Sequence, residues 1–530
     1  MAIAKQKCLL ATAASILMLL NLSHIIHLHP PASSSRPRTH SQPSFRELFR
    51  GEKVSEDAAT SIPASSGKSW PFLPSLLPWT PRPNLRLDSC EAYFGNGFTQ
   101  LFPVFPPKSW NPFRKSSPFM SSNYKAEGEI PSLQCFYSET LHTSICEGRN
   151  VVMHPGRIHM AVGGEALDSV VGRTEAEELP SFSPGAFEIV LPAHRGADWT
   201  ISKELLDFIL PEDHILDHRL RSLFSSIQSV SSDEINCSQT VKSSTLLLIR
   251  YEYANLFHTA TDWYSAYVTS RVLNLPHRPN VIFVDGHCLS PMDDGWEAFF
   301  SNVTYAKAFT DSVCFDHVIF TPLGYETALF KGLNSGIPCK GCTAPELRQA
   351  EDDSKTARLR EFGEMFKSAF RILNRRVKKS LSILFVRRES YLAHPRHSGK
   401  PETRLRNEQE LFNSMESWAR SKSQEFGRLW RTINIINGTF AHMKLKEQVQ
   451  AVDDASIIIG VHGAGLTHIL FARPGTVVLE LLSPLFPRPH YSHISQWMGL
   501  DYHSITMSST IANCEDVLKQ LSTILDGLVV

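Results

Sequence analysis

The amino-acid sequence predicts an α/β fold built on doubly wound parallel sheets. Short, continuously apolar runs occur at 245–250, 281–284, 317–320 and 382–386. Such runs are typical of parallel strands that are covered on both faces. Stretches with a helical pattern lie between them, at 262–273 and 345–372. Because strands that alternate with helices form βαβ units, we expect helices on both faces of each sheet.

Composition indicates a large globular protein with more than one folded unit. The chain has 530 residues, of which 42% are hydrophobic, so it can bury extensive cores. Domain sizes of about 100–200 residues predict two or three units. Its 53 basic and 53 acidic residues balance to zero net charge. This neutral balance gives no electrostatic reason to expect a nucleic-acid partner.

We predict two α/β lobes, 88–372 and 373–530, because a short basic break lies at 373–380. The second lobe has its own strand-like runs, at 383–386, 433–436, 457–461 and 476–482. The early part, 88–192, is rich in Pro, Gly and aromatic residues and has a less regular pattern. No internal repeat is visible.

The amino terminus predicts a membrane anchor. Residues 8–28 are predominantly apolar and, with histidine taken as neutral, uncharged; their length is close to the ~20 residues of a spanning helix. Lys5 and Lys7 lie in the short tail 1–7, which positive charge keeps in the cytosol. We favour this signal-anchor over a cleaved signal peptide, since His-Leu-His-Pro-Pro is a poor cleavage site. Residues 29–87 are rich in Pro and Ser and predict a flexible stem.

A lumenal body would contain disulfides and glycans. Nine of the ten cysteines follow the apolar run, so at least one thiol should be free. We predict pairs such as Cys135 with Cys146 or Cys339 with Cys342. A second CxxC and a placed histidine pair are missing, so we expect no zinc or other metal site. Three sequons could carry glycans, at Asn236, Asn302 and Asn437.

The clearest candidate site is a glycine-rich turn. A buried strand, 455–461, leads into His462-Gly-Ala-Gly465, and a helix is expected to begin at Leu466 and Thr467. Glycines let the backbone approach a ligand, and a helix N-terminus offers N–H groups to phosphate oxygens. The alternative is a tight turn with a packed histidine. The next strand contains Glu480, which either faces solvent or accepts hydrogen bonds from a group such as ribose.

A positive region follows the strand 382–386. Arg387 and Arg388 end that strand, and Lys400 and Arg404 lie a short way along the chain. Arginine binds phosphate through two parallel hydrogen bonds, so a diphosphate is a natural partner. The alternative is a solvated loop.

Polar residues after two strands of the first lobe predict a second part of the site. His258 and Asp262 are four residues apart, so they share one face if the segment is helical. A histidine held by a carboxylate is a plausible general base, although a packed histidine and a helix N-terminal carboxylate would have the same spacing. Trp263 could stack on a sugar, although such an aromatic residue is more often part of the core, and Asp285 or His287 could supply a competing base.

Several of these motifs together resemble the plant N-glycan core β-1,2-xylosyltransferases of glycosyltransferase family 61. The resemblance covers nearly all of 88–521. It rests on SCEAYFGNGF at 89–98, NLFHTATD at 255–262, VDGHC at 284–288, PLGYETALFKG at 322–332, FVRRE at 385–389, YLAHPRH at 391–397 and HGAGLTH at 462–468. One departure is Ser398, where the family would have glycine; another is the segment 418–430.

The resemblance implies a GT-B fold, with two Rossmann-like lobes and a cleft between them. Residues 88–372 would bind the acceptor and 373–530 the nucleotide sugar. It implies an inverting transfer of xylose from UDP-xylose to O2 of the core β-mannose of N-glycans, in the Golgi lumen and without a required metal. Two alternatives remain. One is a related family member that acts on xylan or protein O-glycans, and the other is a lumenal glycan-binding protein without turnover.

The resemblance also implies roles for individual residues. His258 and Asp262 would act on the acceptor, with His258 slightly preferred as the base, and Asn255 belongs to the same signature. The UDP-sugar contacts would be Arg387, Arg388, His462, Gly463, Ala464, Gly465, Leu466, Thr467 and, at the ribose, Glu480.

Overall fold

The computed structural model describes residues 67–529, apart from 72–78, 80–84, 105–131, 192–198, 213–214, 216, 233–234, 342–345, 347–348, 350–351, 373–379, 390–393, 396–404, 426–431 and 485–487. The predicted anchor, most of the stem, the basic break and Cys342 therefore lie outside the described residues. Across the described ranges, no helix is both long and apolar enough to span a bilayer. All described residues belong to one compact unit, Thr60–Val530.

Twelve strands are found in the first part of the described chain. They are β1 (Gln100–Pro103), β2 (Leu133–Ser138), β3 (Thr143–Met153), β4 (Ile158–His159), β5 (Ser181–Phe182), β6 (Phe187–Leu191), β7 (Gln228–Ser231), β8 (Gln239–Val241), β9 (Thr245–Leu248), β10 (Asn280–Phe283), β11 (Val303–Tyr305) and β12 (Val313–Phe320). Ten of them form one sheet with the main order β1-β2-β3-β12-β9-β10-β11, and β4 pairs with β5 separately.

This first sheet is mixed, which corrects the purely parallel sheet expected for the first lobe. Strands β9, β10 and β12 pair in parallel, as their buried apolar sequences predict, and the half-buried β11, which was not predicted, pairs in parallel with β10. The irregular early part supplies the antiparallel strands, since β1 pairs with β2, β2 with β3, and β3 with β12. The connection between β2 and β3, 139–142, is too short for a parallel crossover, whereas β6 pairs in parallel with β7 across the helical segment between them.

Helices of the first part are α1 (Cys90–Phe94), α2 (Glu175–Glu178), α3 (Lys203–Ile209), α4 (Arg219–Ser225), α5 (Leu256–Val272), α6 (Asp293–Phe299), α7 (Ala328–Ser335) and α8 (Leu359–Ala369). The helix predicted over 345–372 is thus confirmed only in its second half. The 3-10 helices are Pro155–Arg157, Leu167–Ser169, Ala306–Ala308, Gly324–Glu326 and Asp353–Lys355.

The second sheet is entirely parallel and has five strands. These are β13 (Ser380–Arg387), β14 (Thr432–Thr439), β15 (Ile457–Val461), β16 (Val477–Leu482) and β17 (Asp501–Thr506), in the order β14-β13-β15-β16-β17. Its helices are α9 (Glu408–Glu425), α10 (Leu445–Asp453), α11 (His490–Met498) and α12 (Cys514–Val529), with 3-10 helices at Phe440–His442 and Ala464–Phe471. The strands predicted at 383–386, 433–436, 457–461 and 476–482 are confirmed.

One hydrophobic core joins the two sheets. Helix α5 is buried along nearly its whole length, and its side chains share a cluster with strands of both sheets. The contact between Phe94 and Trp497, with ring centroids 5.0 Å apart, is one link across the molecule. Trp497 also donates a hydrogen bond from Nε1 to the carbonyl oxygen of Ile337 at 3.2 Å.

Three disulfides are present in the described part of the chain: Cys90–Cys339, Cys135–Cys146 and Cys237–Cys314. The predicted Cys135–Cys146 pair is confirmed. The Cys339–Cys342 alternative is wrong, because Cys339 bonds to a cysteine 249 residues earlier in the sequence. Within the same described ranges, Cys288 and Cys514 are free thiols.

Candidate active site

The strand order of the second sheet brings two predicted anion-binding segments together. In order of appearance its strands are arranged 2-1-3-4-5, a doubly wound order whose switch point lies between the first and third strands. Here those strands are β13 and β15. Arg387 ends β13, and His462 directly follows β15. Ligands of open α/β sheets bind at this crevice, outside the carboxyl ends of the strands.

Gly463 and Arg388 are in close contact at the switch point. Gly463 has a φ of +152°, and a Cβ built there would lie 2.5 Å from Arg388 Nη1. Only glycine therefore allows the guanidinium to rest on this turn. Tyr491 of α11 donates a hydrogen bond to the Gly463 carbonyl oxygen at 2.5 Å, which fixes the turn from the other side.

The segment after the turn is a 3-10 helix, Ala464–Phe471, rather than the expected α-helix. Gly463, Ala464 and Gly465 are partly exposed, so their backbone is accessible to a ligand. Leu466 and Thr467 are fully buried. Their predicted contact with the diphosphate does not fit the structure, because Leu466 packs in the core and its N–H already bonds to the Gly463 carbonyl oxygen at 2.9 Å.

Arg387 is bound differently from its neighbour. Its Nε lies 3.3 Å from Glu408 Oε2, and its Nη1 donates to Asn437 Oδ1 at 3.4 Å. The guanidinium also lies 5.6 Å from the ring centre of Phe412. Arg387 therefore stabilises the base of the crevice, and Arg388 is the guanidinium that contacts the turn.

Glu480 is fully buried, which does not fit the predicted ribose contact. Its Oε1 accepts a hydrogen bond from His462 Nδ1 at 2.5 Å, and its Oε2 accepts one from Tyr502 at 2.7 Å. A carboxylate in an apolar strand needs such partners, because an unpaired buried charge is strongly unfavourable. The structure thus satisfies Glu480 from within the protein.

On the first sheet, the signature residues lie at the N-terminus of α5. Asn255 is the N-cap residue, and its side chain accepts a hydrogen bond from the backbone N–H of Phe257 at 3.0 Å. The helix begins earlier than expected, so both His258 and Asp262 lie inside it. The predicted same-face spacing is present, but no hydrogen bond joins the two side chains in the described structure. Asp262 Oδ1 accepts instead from the Gly324 N–H at 3.2 Å.

The environments of His258 and Asp262 shift their pKa values in opposite directions. Burial raises the pKa of Asp262 to about 8, although Arg250 opposes this shift. Burial lowers the pKa of His258 to about 4, so its imidazole is neutral near pH 7. His258 Nδ1 is buried and has no hydrogen-bond partner in the described part of the protein. In the same part, Asp262 Oδ2 accepts no hydrogen bond, and the residue keeps 7% of its surface exposed.

The other acceptor-side candidates are structural. Trp263 is fully buried and packs on Phe366, with ring centroids 4.7 Å apart, so it cannot stack on a sugar. Asp285 is fully buried and binds Arg250 Nη2 at 2.8 Å. His287 is also fully buried, with Nε2 2.8 Å from the Arg250 carbonyl oxygen. These buried partners exclude Asp285 and His287 as bases that reach an acceptor.

Aromatic contacts connect the two parts of the site. His490, at the start of α11, lies 5.8 Å from His462 between ring centroids. The same ring stacks on Phe257 of α5 at 6.5 Å, and Phe257 contacts His258 at 5.3 Å. The turn after β15 and the N-terminus of α5 therefore face each other across His490, which sequence analysis did not identify. In the sequence, His490 directly follows Pro489 in a proline-containing loop, and nothing in that pattern distinguishes a site residue from a loop residue.

The three sequons lie away from the turn after β15 and the N-terminus of α5, or at the edge of the crevice. Asn236 and Asn437 are exposed, whereas Asn302 is half-buried and donates to Asn280 Oδ1 at 2.8 Å. Asn437 adjoins Arg387 at the carboxyl end of β14. The described ranges contain no cluster of three or more His, Cys, Asp or Glu residues suited to a metal ion.

Comparison with known proteins gives the family. A β-1,2-xylosyltransferase of Oryza sativa subsp. japonica is 49% identical over 471 residues, which cover 87% of this chain and 84% of the relative. This chain belongs to the β-1,2-xylosyltransferases of glycosyltransferase family 61. A family 61 model also matches residues 351–479, which include the crevice-forming strands β13 and β15 and the first half of β16. The resemblance predicted from the motifs is confirmed, and the protein is a glycosyltransferase enzyme.

Two further relatives show how far along the chain the similarity extends. The β-1,2-xylosyltransferase of Arabidopsis thaliana is 47% identical over 493 residues, covering 87% of this chain and 89% of the relative. An EGF domain-specific O-linked N-acetylglucosamine transferase of Gallus gallus is 24% identical over 275 residues, covering 49% of this chain and 45% of the relative. This family 61 chain is thus similar to xylosyltransferases along most of its length, and to a transferase of another sugar along about half of its length.

Proposed function

We propose that this family 61 enzyme transfers xylose from UDP-xylose to O2 of the core β-mannose of N-glycans and inverts the anomeric configuration. The observation that carries the proposal is the crevice at the switch point of the second sheet. Arg388 rests there on Gly463, opposite the N-terminus of α5. Similarity to two β-1,2-xylosyltransferases over 87% of the chain supports the choice of sugar and linkage.

The UDP diphosphate would bind between Arg388, His462 and the accessible backbone of Gly463, Ala464 and Gly465. Arg488 adds a further cation beside His490, which contacts His462; burial lowers the pKa of His490 to about 4, so its own imidazole is neutral near pH 7. A guanidinium can form two hydrogen bonds with phosphate, and a glycine-rich backbone can approach it closely. These groups would stabilise the charge on the leaving UDP without a required metal ion.

We assign Asp262 as the base rather than His258. Its Oδ2 accepts no hydrogen bond within the described structure, and its pKa of about 8 lies close to neutral pH, where a general base is most effective. With a pKa of about 4, His258 is a much weaker base. Neutral His258, one turn nearer the start of α5, would orient the acceptor hydroxyl.

The proposed reaction is a single in-line displacement. The acceptor O2 loses its proton to Asp262 and attacks C1 of xylose from the face opposite UDP. The new C1–O2 bond forms as the bond between C1 and the β-phosphate oxygen breaks, and its electron pair leaves with UDP. Inversion at C1 gives the β-linkage. Because the crevice holds both substrates in position, the bimolecular step becomes effectively unimolecular and its entropic barrier falls.

The two sheets support a GT-B arrangement, with the acceptor bound mainly by 88–372 and the nucleotide sugar by 373–530. The second sheet has the Rossmann-like order this arrangement needs, and the first contributes the parallel strands β9–β12. For location, the apolar segment 8–28 and the basic tail support a single-pass type II protein of the Golgi membrane, with its catalytic body in the lumen.

A substrate panel tests the activity. The full-length enzyme, solubilised from membranes, is incubated with UDP-xylose, UDP-glucose or UDP-N-acetylglucosamine and with an N-glycan, a xylan oligomer or an O-mannosyl glycan. The proposal requires UDP release only with UDP-xylose and the N-glycan, and a product with a β-configured xylose by NMR. Transfer to xylan or the O-glycan identifies a related transferase instead. Failure to release UDP with every pair indicates a glycan-binding protein.

Membrane topology is tested separately. Carbonate extraction should leave the full chain in the membrane, and protease added to sealed vesicles should spare the catalytic body. Extraction into the carbonate supernatant would contradict the anchor and support a cleaved signal peptide.

A further inference from the structure

Strand β16 contains one charged residue in an otherwise apolar sequence, and the proposed mechanism does not use it. This residue, Glu480, is fully buried between β15 and β17. Burying a carboxylate without partners is expensive, so its retention at this position calls for a function or for complete pairing.

Two neighbouring segments meet at the Glu480 carboxylate. His462, at the end of β15, donates from Nδ1 to Oε1 at 2.5 Å. Tyr502 of β17 donates from its hydroxyl to Oε2 at 2.7 Å. The backbone N–H of His462 also donates to the Leu481 carbonyl oxygen at 3.1 Å, which anchors the histidine to the same strand. Tyrosine, glutamate and histidine thus form a chain that begins in the sheet and ends at the glycine turn.

We infer that Glu480 is a positioning residue that acts on the nucleotide through His462. The inference rests on the proposed function, which places the UDP diphosphate at the turn. Glu480 holds the proton of a neutral imidazole on Nδ1 and directs the Nε2 edge of the ring away from the sheet. A carboxylate fixes tautomer and orientation in this way wherever it bonds to one ring nitrogen.

Direct contact between Glu480 and ribose is the competing explanation. It requires at least one carboxylate oxygen at the surface of the crevice. Both oxygens are instead buried and engaged by protein donors. Tyr502 also argues against a ribose contact, because its hydrogen bond holds the Glu480 carboxylate within the sheet rather than towards a ligand.

A double-mutant cycle tests whether Glu480 acts through His462. UDP binding to the full-length enzyme is measured by calorimetry for wild type, Glu480→Gln, His462→Asn and the double variant. Loss of a hydrogen bond to a charged group typically weakens binding about tenfold or more, and we expect this for Glu480→Gln alone. In the His462→Asn background the same change should alter affinity less than twofold, since coupled residues are not additive.

Ligand analogues separate the two explanations from the nucleotide side. If Glu480 bonds to ribose, removing a hydroxyl in 2′-deoxy-UDP or 3′-deoxy-UDP weakens binding to wild type but no longer affects Glu480→Gln. If it acts through His462, each analogue loses the same factor in both proteins. Tyr502→Phe, which removes only the bond to Oε2, should weaken UDP binding by a smaller factor, about threefold, and only when His462 is present.

Each outcome decides the inference. Equal losses in both backgrounds, or an analogue penalty that vanishes in Glu480→Gln, overturn it. Should Glu480→Gln not fold, as judged by its melting transition, the Tyr502→Phe cycle provides the same comparison. If wild type binds no UDP at all, the proposed function fails first, and this result is distinct from a wild type that binds UDP without coupling between the two residues.

Discussion

Replacement of Asp262 by asparagine removes the proposed catalytic base while keeping the shape of the side chain. The amide keeps the shape of the carboxyl group and can still accept the Gly324 N–H, but it cannot take up a proton. We expect kcat/KM to fall by about two to four orders of magnitude, the usual contribution of a positioned base. UDP affinity should remain unchanged, because the proposed diphosphate site is the turn after β15.

The same substitution should stabilise the protein as the pH rises. The folded pKa of Asp262, about 8, lies above its ordinary value of 3.8. The wild-type protein therefore has the full stability from this group below about pH 4 and loses it as pH rises through 8. Each unit in that window is worth about 1.4 kcal/mol, so about 4 kcal/mol separates pH 5 from pH 8. The asparagine variant lacks this loss.

The assays are a pH series of kcat/KM and of thermal unfolding. Wild-type kcat/KM should rise with pH and level off near 8, the pKa of the base. The melting temperature of Asp262→Asn relative to wild type should increase from pH 5 to pH 8. Asp293→Asn is a matched control, because burial also raises the pKa of that carboxyl, to about 6, and it lies outside the site. The stability of Asp293→Asn relative to wild type should increase from about pH 4 to pH 6 and stay constant above pH 6, and the variant should retain activity.

Two results would refute this reasoning. Wild-type kcat/KM that is constant from about pH 5 upwards would identify His258, whose pKa is about 4, as the base. An Asp262→Asn variant whose relative melting temperature does not change with pH would show that the carboxyl is not protonated in the folded enzyme.

Three further predictions concern the turn, a disulfide and the core. Gly463→Ala should raise the donor KM more than about tenfold, because the new Cβ would lie 2.5 Å from Arg388 Nη1 and would displace that guanidinium. Gly475→Ala is the control: its φ is +75° and the space around it is open, so it should lower stability only. Equal donor KM values for the two variants would contradict this prediction. Cys90→Ser should destabilise the fold by about 2–4 kcal/mol, and Cys514→Ser, a free thiol, by much less, as measured by denaturant unfolding. Trp263→Phe should lower the melting temperature and leave the acceptor KM unchanged; a raised KM would restore its role as a sugar platform.

Sequence was most informative where the structure depends on local pattern. The buried strands of the second sheet and the glycine turn were predicted because their apolar runs and glycines are contiguous. The Cys135–Cys146 disulfide was also predictable, since the two residues are only 11 apart and lie opposite each other on paired strands.

Partners that are distant in sequence could not be predicted in this way. Asp285 looked like a base because its partner, Arg250, lies 35 residues earlier, just after another strand. Glu480 looked like a ligand residue because nothing near it in sequence predicts the hydroxyl of Tyr502 on the neighbouring strand. A polar residue after a strand has the same local pattern whether it faces a ligand or an internal partner.

The shared core between the sheets limits how this enzyme can be recombined. Trp497 packs on Phe94 and bonds to the Ile337 carbonyl oxygen, so helices from opposite ends of the chain are fitted to one another. A chimera that joined 88–372 to the sugar-nucleotide half of another transferase would bring mismatched surfaces into this contact. New donor specificity is therefore more accessible by replacing loops at the carboxyl ends of β13 and β15 than by exchanging whole halves.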